Sequence, residues 1–375
     1  MKIVCQRETL SHAFQTAAAV APSRSSKPVL QSLKLDAADS AGILSGTDLE
    51  TGIRMEVSNL DVEAEGSVLL PIDRFGSILR ESSDEKLTVE TDGRQIQVRG
   101  VQSEFQLPSV NPDEFPTVPE FHEERYHEVA VPFLRELIRR TVFATDNESS
   151  RYALGGALVE LTDDGVTAVA TDGRRLARQE GPGKSVGGHV TGDNTVIIPT
   201  KAMQLIERAL DDRAGTAQIA ARENDVLVRS GAVTIYARLV EGRFPRWREV
   251  FPRHGEYDCV RLELPIGPFY AAVRQAAIVT TAEHRGVEFA FADGRATLAA
   301  HGAEHGESHI ELPVAYEGDP LVISLDPRYL SDFLRVLSPD KTFTLELRGS
   351  KTAAVCVTDD GYGYVVMPLA RGERG

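Results

Sequence analysis

The feature that most constrains this chain is an internal threefold repeat with a period of about 125 residues. Three segments share a pattern: Val68-Leu-Leu-Pro71 running on to Leu79, Val196-Ile-Ile-Pro199 running on to Ile206, and Leu321-Val-Ile-Ser324 running on to Leu334. Each is a short apolar run, then a Pro or Ser, then a stretch with apolar residues at helical spacing. Pro71 and Pro199 sit where a helix start tolerates proline, and Ser324 is placed to cap the third helix. Each repeat also opens alike, with amphipathic stretches beginning near Glu8, Val131 and Leu264. Alternating strands follow, such as those starting at Lys86, Ala217 and Thr342. A repeat of this length is a whole structural unit, so the chain must build three similar units rather than one large core.

Each third therefore reads as helix, strands, helix, strands. Short alternating strands with only two helices imply antiparallel sheets with helices on one side, an α+β class. The polar, Pro-bearing segments after Pro116 and Phe251 mark the boundaries, giving expected domains 1–119, 120–250 and 251–375. The Gly-rich stretch from Glu180 to His189 is expected to be a mobile loop.

Composition narrows the function classes. At 375 residues with 42% hydrophobic and 26% charged residues, the chain has the make-up of an ordinary globular protein. No signal core opens it and no apolar window is long enough to cross a bilayer, so a cytoplasmic protein without membrane contact is expected. Cys5, Cys259 and Cys356 are far apart and lack a CxxC partner, which points to reduced thiols and no zinc site. His301, Glu304, His305 and His309 form one near-motif, but Gly302 and Gly306 interrupt any helix that could align them, so no metal is expected. No nucleophile elbow, P-loop or dinucleotide fingerprint is present, and neither catalysis nor a cofactor is expected.

One octapeptide stands out: Ala170-Thr171-Asp172-Gly173-Arg174-Arg175-Leu176-Ala177. The Asp-Gly step after a β-like run reads as a hairpin turn. A related turn occurs at Gly46-Thr47-Asp48-Leu49-Glu50, but only the second is followed by Arg-Arg-Leu.

Together the threefold repeat, that octapeptide, Leu239-Val-Glu-Gly-Arg-Phe-Pro245, Tyr364-Val-Val-Met-Pro368, Lys27-Pro-Val-Leu30 and the Gly46 turn resemble the bacterial sliding clamp family, the β subunit of the replicative DNA polymerase III. The resemblance covers essentially the whole chain. It implies three clamp domains per protomer and a head-to-tail homodimer closed into a ring around duplex DNA. Helices would line the hole, and DNA would be held without sequence preference. It further implies tethering of the replicative polymerase catalytic subunit, with the clamp loader, other polymerases and repair proteins sharing one peptide pocket between the second and third domains. Residue by residue, that pocket maps to Leu154, Thr171, Gly173, Arg174, Arg175, Leu176, Pro245, Val250, Val365 and Met367. Leu154, Leu176, Val250 and Met367 are expected to form its apolar floor, with Thr171 bonding the peptide. Arg24, Arg74 and Lys201 match basic DNA-contacting positions, and Tyr152 matches an aromatic near the DNA. Arg139, Arg140, Arg274 and Arg328 are further candidate backbone contacts.

The net charge of −15 by itself argues against enclosing DNA. Yet the six expected helices, 8–21, 73–82, 132–143, 200–212, 265–279 and 326–337, sum to +1, leaving −16 for strands and loops. A sleeve that slides needs few phosphate contacts, and an acidic exterior repels stray nucleic acid. Three departures from the family pattern bear on the site: Arg174 in place of a common histidine, Ala153 in place of a large side chain, and seven residues after Pro368. Two other functions remain open to the residues alone, a peptide-binding scaffold without DNA and a metal-dependent hydrolase.

Overall fold

In a computed structural model, the described residues are 1–146, 148, 153–251, 258–281, 283–302 and 306–369. They pack as two compact units: Met1–Arg135 with Leu161–Asp164 and Gly183–Leu239, and Glu136–Glu160 with Gly165–Pro182 and Val240–Gly375. The middle repeat thus contributes to both.

The first unit holds two antiparallel sheets. One orders Asp61–Ala64, Lys2–Gln6, Lys86–Thr91, Gln95–Arg99 and Glu104–Pro108. The other runs Lys184–Val186, Tyr126–Ala130, Thr216–Ala221, Asp225–Ser230, Val233–Arg238, Thr51–Ser58, Ala41–Thr47, Ser32–Ala38 and Gly66–Pro71. Its central junction, Ile235 opposite Ile53, joins the middle repeat to the first by a backbone ladder. Apolar residues alternate inward along these strands, as a sheet with one packed face requires. Helices Arg7–Ala18 and Ile72–Glu81 meet through Phe14 and Phe75, with ring centroids 5.2 Å apart.

In the second unit, Gly156–Leu161, Gly165–Thr171, Arg175–Pro182, Tyr362–Val366, Ala354–Val357, Thr342–Leu347 and Val260–Pro265 form a run of antiparallel strands. Again two repeats share one sheet, here through Leu176 opposite Val365. A four-stranded sheet orders Gly306–Pro313, Arg295–Gly302, Val287–Ala292 and Leu321–Leu325. Helices Ile266–Ala276 and Pro327–Arg335 supply Phe269 and Phe333, whose rings flank Phe343 at 5.7 and 5.4 Å. Offset and edge-on aromatic contacts of this kind add to burial in fixing the core.

The six expected helices are present, five of them shorter than their sequence pattern and Ile72–Glu81 of the same length but shifted by one residue. Three details differ. The third-repeat helix is capped by Asp326, whose carboxylate accepts from the Arg328 amide at 3.0 Å. Ser324 lies two residues earlier, inside a strand, where it cannot reach the first helical amides. The stretch 180–189 is also no free loop. Lys184–Val186 pairs with Tyr126–Ala130, Arg125 donates to the carbonyls of Gly187 and Gly188, and buried His189 is bonded to Ala221. Its glycines turn the chain between bonded positions. Finally, a short helix Trp247–Val250 follows Pro245. No periodic pattern announced it, since four residues span barely one turn.

Candidate partner-binding and nucleic-acid sites

The turn at 171–175 is built from its own residues. The Thr171 hydroxyl donates to the Arg175 carbonyl at 2.5 Å and accepts from the Gly173 amide at 3.0 Å. Asp172 Oδ1 accepts from the amides of Arg174 and Arg175 at 2.9 and 3.0 Å. Gly173 has φ +84°, which an L side chain adopts only under strain. The hairpin expected here is therefore present, with Ala170 opposite Ala177.

Arg175 holds the turn to its surroundings. Its Nε reaches Asp172 Oδ2 at 3.0 Å, Nη1 reaches Asp332 at 2.6 Å and Nη2 donates to the Phe143 carbonyl at 2.8 Å. The guanidinium lies 4.7 Å from the Tyr329 ring centroid. Burial by itself disfavours the charge, but the Tyr364 phenol, Asp332 and Asp172 outweigh it and keep the group above its ordinary pKa. Burial pushes the Tyr364 phenol upward, and its hydroxyl donates to the Tyr329 carbonyl at 3.0 Å. Arg175 thus braces the turn against helix Pro327–Arg335 with three of its donors committed.

The expected pocket residues sort into two groups. Leu154, Thr171, Leu176 and Val365 are buried, while Val250 and Met367 are 48% and 45% exposed. A large apolar side chain left half in water is the more informative class. Gly173 and Arg174 are exposed and Pro245 is half-buried. Met367 is fixed beside the turn because its amide donates to the Arg174 carbonyl at 2.9 Å. Ala153 bonds the Arg243 carbonyl, which ties the segment before Leu154 to the one before Pro245. Of the four apolar residues expected as a floor, Val250 and Met367 are half exposed, and Leu154 and Leu176 are buried. The Thr171 hydroxyl, expected to bond the peptide, uses its donor and one lone pair within the turn.

Among the basic candidates, Arg24, Arg74, Arg139 and Arg274 are exposed. Arg140 is not: only 5% exposed, it bonds Gln179 at 2.8 Å and Asp360 at 3.0 Å, with its guanidinium over the Tyr362 ring. It is a core ion, and the helical period that put it next to Arg139 also turned it inward. Arg328 is clasped by its own cap, Asp326, at 2.7 Å. Lys201 donates to Asp48 at 2.5 Å and to the Val20 carbonyl at 2.8 Å while remaining 47% exposed. Tyr152 lies outside the described residues. A residue missed from sequence is Arg208, which shares with Lys201 and Gln204 a surface groove of about 550 Å³. Positions 201, 204 and 208 fall on one helix face, so spacing alone could have found it.

His301 pairs with Glu307 at 2.9 Å on exposed strands, and Glu304 and His305 lie outside the described residues. Among the described residues no group of three or more potential ligands could hold a metal ion. Among the described residues no helix is long and apolar enough to cross a membrane.

Residues 1–119, 128–246 and 248–370 match the N-terminal, central and C-terminal domains of the DNA polymerase III beta subunit family. The chain belongs to that family. The beta sliding clamp of Pseudomonas putida is 30% identical, with 98% of this chain and 100% of that protein aligned. The beta sliding clamp of Vibrio cholerae is 29% identical over 98% of this chain and all of its own length. Among solved structures, the DNA polymerase III subunit beta of Pseudomonas aeruginosa superposes with a TM-score of 0.88 at 28% identity, covering 98% and 100% of the two chains. A Pseudomonas aeruginosa sliding clamp bound to griselimycin gives 0.89 at 28% identity, covering 99% of each. The clamp fold of three α+β domains is therefore that of this chain.

Proposed function

We propose that this chain is the processivity factor of a replicative DNA polymerase. Two copies join head to tail into a ring that encircles duplex DNA and slides along it. The ring tethers the polymerase catalytic subunit, and in turn the clamp loader and repair proteins, through the surface around Val250 and Met367. It acts in the cytoplasm as an accessory subunit without an active site of its own. Domain boundaries near 119 and 250 go with this reading.

The observation that carries the proposal is the match of all three family domains along nearly the full length. Local chemistry supports it. Strand Glu104–Pro108 ends one sheet of the first unit, and strand Gly306–Pro313 ends a sheet of the second. Unpaired strand edges invite pairing with another chain, and two unlike edges allow a heterologous, ring-closing contact. Exposed apolar residues accompany them, with Phe105 at 38% and Ile278 at 78%. A ligand-bearing relative, the Pseudomonas aeruginosa clamp with griselimycin, supports reading the pocket as ligand-competent.

Changing Arg24, Arg74 and Lys201 to Glu tests the DNA part. Clamp-dependent product length by the polymerase should collapse while polymerase binding persists. A scaffold that never meets DNA would show no change in either.

A further inference from the structure

Beside the pocket runs a groove of about 1220 Å³ that the proposed function does not use. Its floor continues the same sheet face. Leu176 is opposite Val365, and Arg178 is opposite Gly363 on the same two strands. Side chains alternate faces, so Arg178 and Gly363 share the face of Leu176 and Val365, about 7 Å further along. Val357, Thr344 and Glu263 extend that row across three more strands.

The wall is the short helix Trp247–Val250 together with Phe251. Phe251 packs on Gly363, where an added Cβ would stand 2.2 Å from the tip of its ring. The Arg178 guanidinium sits over that ring at 4.4 Å. Two donors here are buried and unpartnered, Arg178 Nε and the indole Nε1 of Trp247, a residue only 7% exposed. Buried N–H groups without acceptors are costly and mark a place where an acceptor belongs. Tyr362 also has an unpartnered hydroxyl, but it is opposite Gln179 and stacks on Phe333 on the other face.

Arg178 Nη2 is paired with Glu180 at 3.2 Å, a carboxylate that is half exposed. Burial, with Arg248 nearby, pushes the guanidinium below its ordinary pKa. Arg248 lies over the indole at 4.3 Å and is paired to Glu160 at 2.7 Å. Its side chain is 67% exposed. Glu180, Glu263, Asp340 and Asp359 line the groove along with Arg178, Arg248 and Lys341, and Glu263 stands four strands from Arg178, about 19 Å.

We propose that this groove binds a carboxylate that a partner peptide carries next to its apolar segment, with Arg178 and Trp247 as donors. The proposal rests on reading the adjoining Val250–Met367 surface as the partner pocket. It extends that surface into a two-part site, apolar at one end and anion-binding at the other. A guanidinium and an indole N–H converging on one carboxylate give the charge-assisted bonds that fix a peptide's register.

Trp247 is the only tryptophan, so its emission reports on this groove. The probes are hexapeptides carrying Leu-Leu-Phe flanked on one side by two Glu or two Gln, in both orders. In one order the Glu peptide should bind about tenfold tighter than its Gln counterpart and shift Trp247 emission. Arg178→Gln should erase that gap and leave the Gln peptide's affinity unchanged, and Arg178→Lys should keep part of the gap, which excludes misfolding as the cause. Equal affinities in both orders, or a gap that survives Arg178→Gln, would overturn the proposal, as would acetate reproducing the emission shift at equal concentration. The pocket itself is tested separately by Met367→Asp, which should abolish binding of the Gln peptide. If Met367→Asp binds it normally, the pocket reading fails while the Glu–Gln gap still judges the groove.

Discussion

The turns at 47–51 and 171–175 are the same device put to different use. In both, a Thr hydroxyl donates to the carbonyl four residues on, at 2.8 and 2.5 Å. In both, Asp Oδ1 gathers two amides: those of Glu50 and Thr51 on Asp48, and those of Arg174 and Arg175 on Asp172. Thr91 and Asp92 repeat the scheme a third time. What differs is the second carboxylate oxygen. Asp48 gives Oδ2 to Lys201, which comes from a helix over 150 residues along the chain. Asp172 gives Oδ2 to its own neighbour Arg175, which is then braced on Asp332 and Phe143. The backbone of a turn is thus generic framework. What sets the two apart is the cation that the spare oxygen holds, a half-exposed lysine in one and a nearly buried arginine in the other.

The sharpest way to break this contrast is Arg175→Ala. It should cost about 3 kcal/mol, because it removes the guanidinium that bonds Asp172, Asp332 and the half-buried Phe143 carbonyl together, and partner binding should fall with it. Urea unfolding checks this, and a loss below about 1 kcal/mol would mean the brace is ornamental. Next come Asp172→Ala and Asp48→Ala. Both lose the turn acceptors, at about 1 kcal/mol or more, but Asp172→Ala should cost roughly twice as much because it also frees Arg175. Equal melting shifts would dissolve the distinction.

Smaller and of opposite kind is Asp48→Asn. The amide oxygen can keep the turn, while Lys201 is released from its carboxylate. The log–log salt slope of DNA affinity should steepen by about 0.9, one added phosphate contact. The smallest effect is expected at Leu49, which occupies φ +82° where its counterpart Gly173 has +84°. Leu49→Gly should be neutral or stabilising by about 0.5 kcal/mol, whereas Gly173→Ala should destabilise by about 1 kcal/mol. Thermal melts of the pair measure the difference.

Much of this was legible in the sequence. The period of the repeat, the helix positions and the Asp-Gly turn follow from local pattern, and local pattern is what short-range physics writes into a chain. The joining of repeats was not, because Leu176 opposite Val365 and Ile235 opposite Ile53 are pairings across long separations that period-2 alternation cannot specify. Burial was misjudged for the same reason. Arg140 looks like its exposed neighbour Arg139 until Gln179 and Asp360 arrive from distant strands. The partner that the Thr171 hydroxyl finds within its own turn is likewise not visible in residue identity alone.

The central claim is that this chain holds DNA by topology. The direct measurement is to load the clamp on a closed circular duplex, isolate the complex and then cut the circle once. The clamp should stay bound to the closed circle through washing and leave within the time of sliding once an end exists. Retention that is the same before and after linearisation would contradict the account.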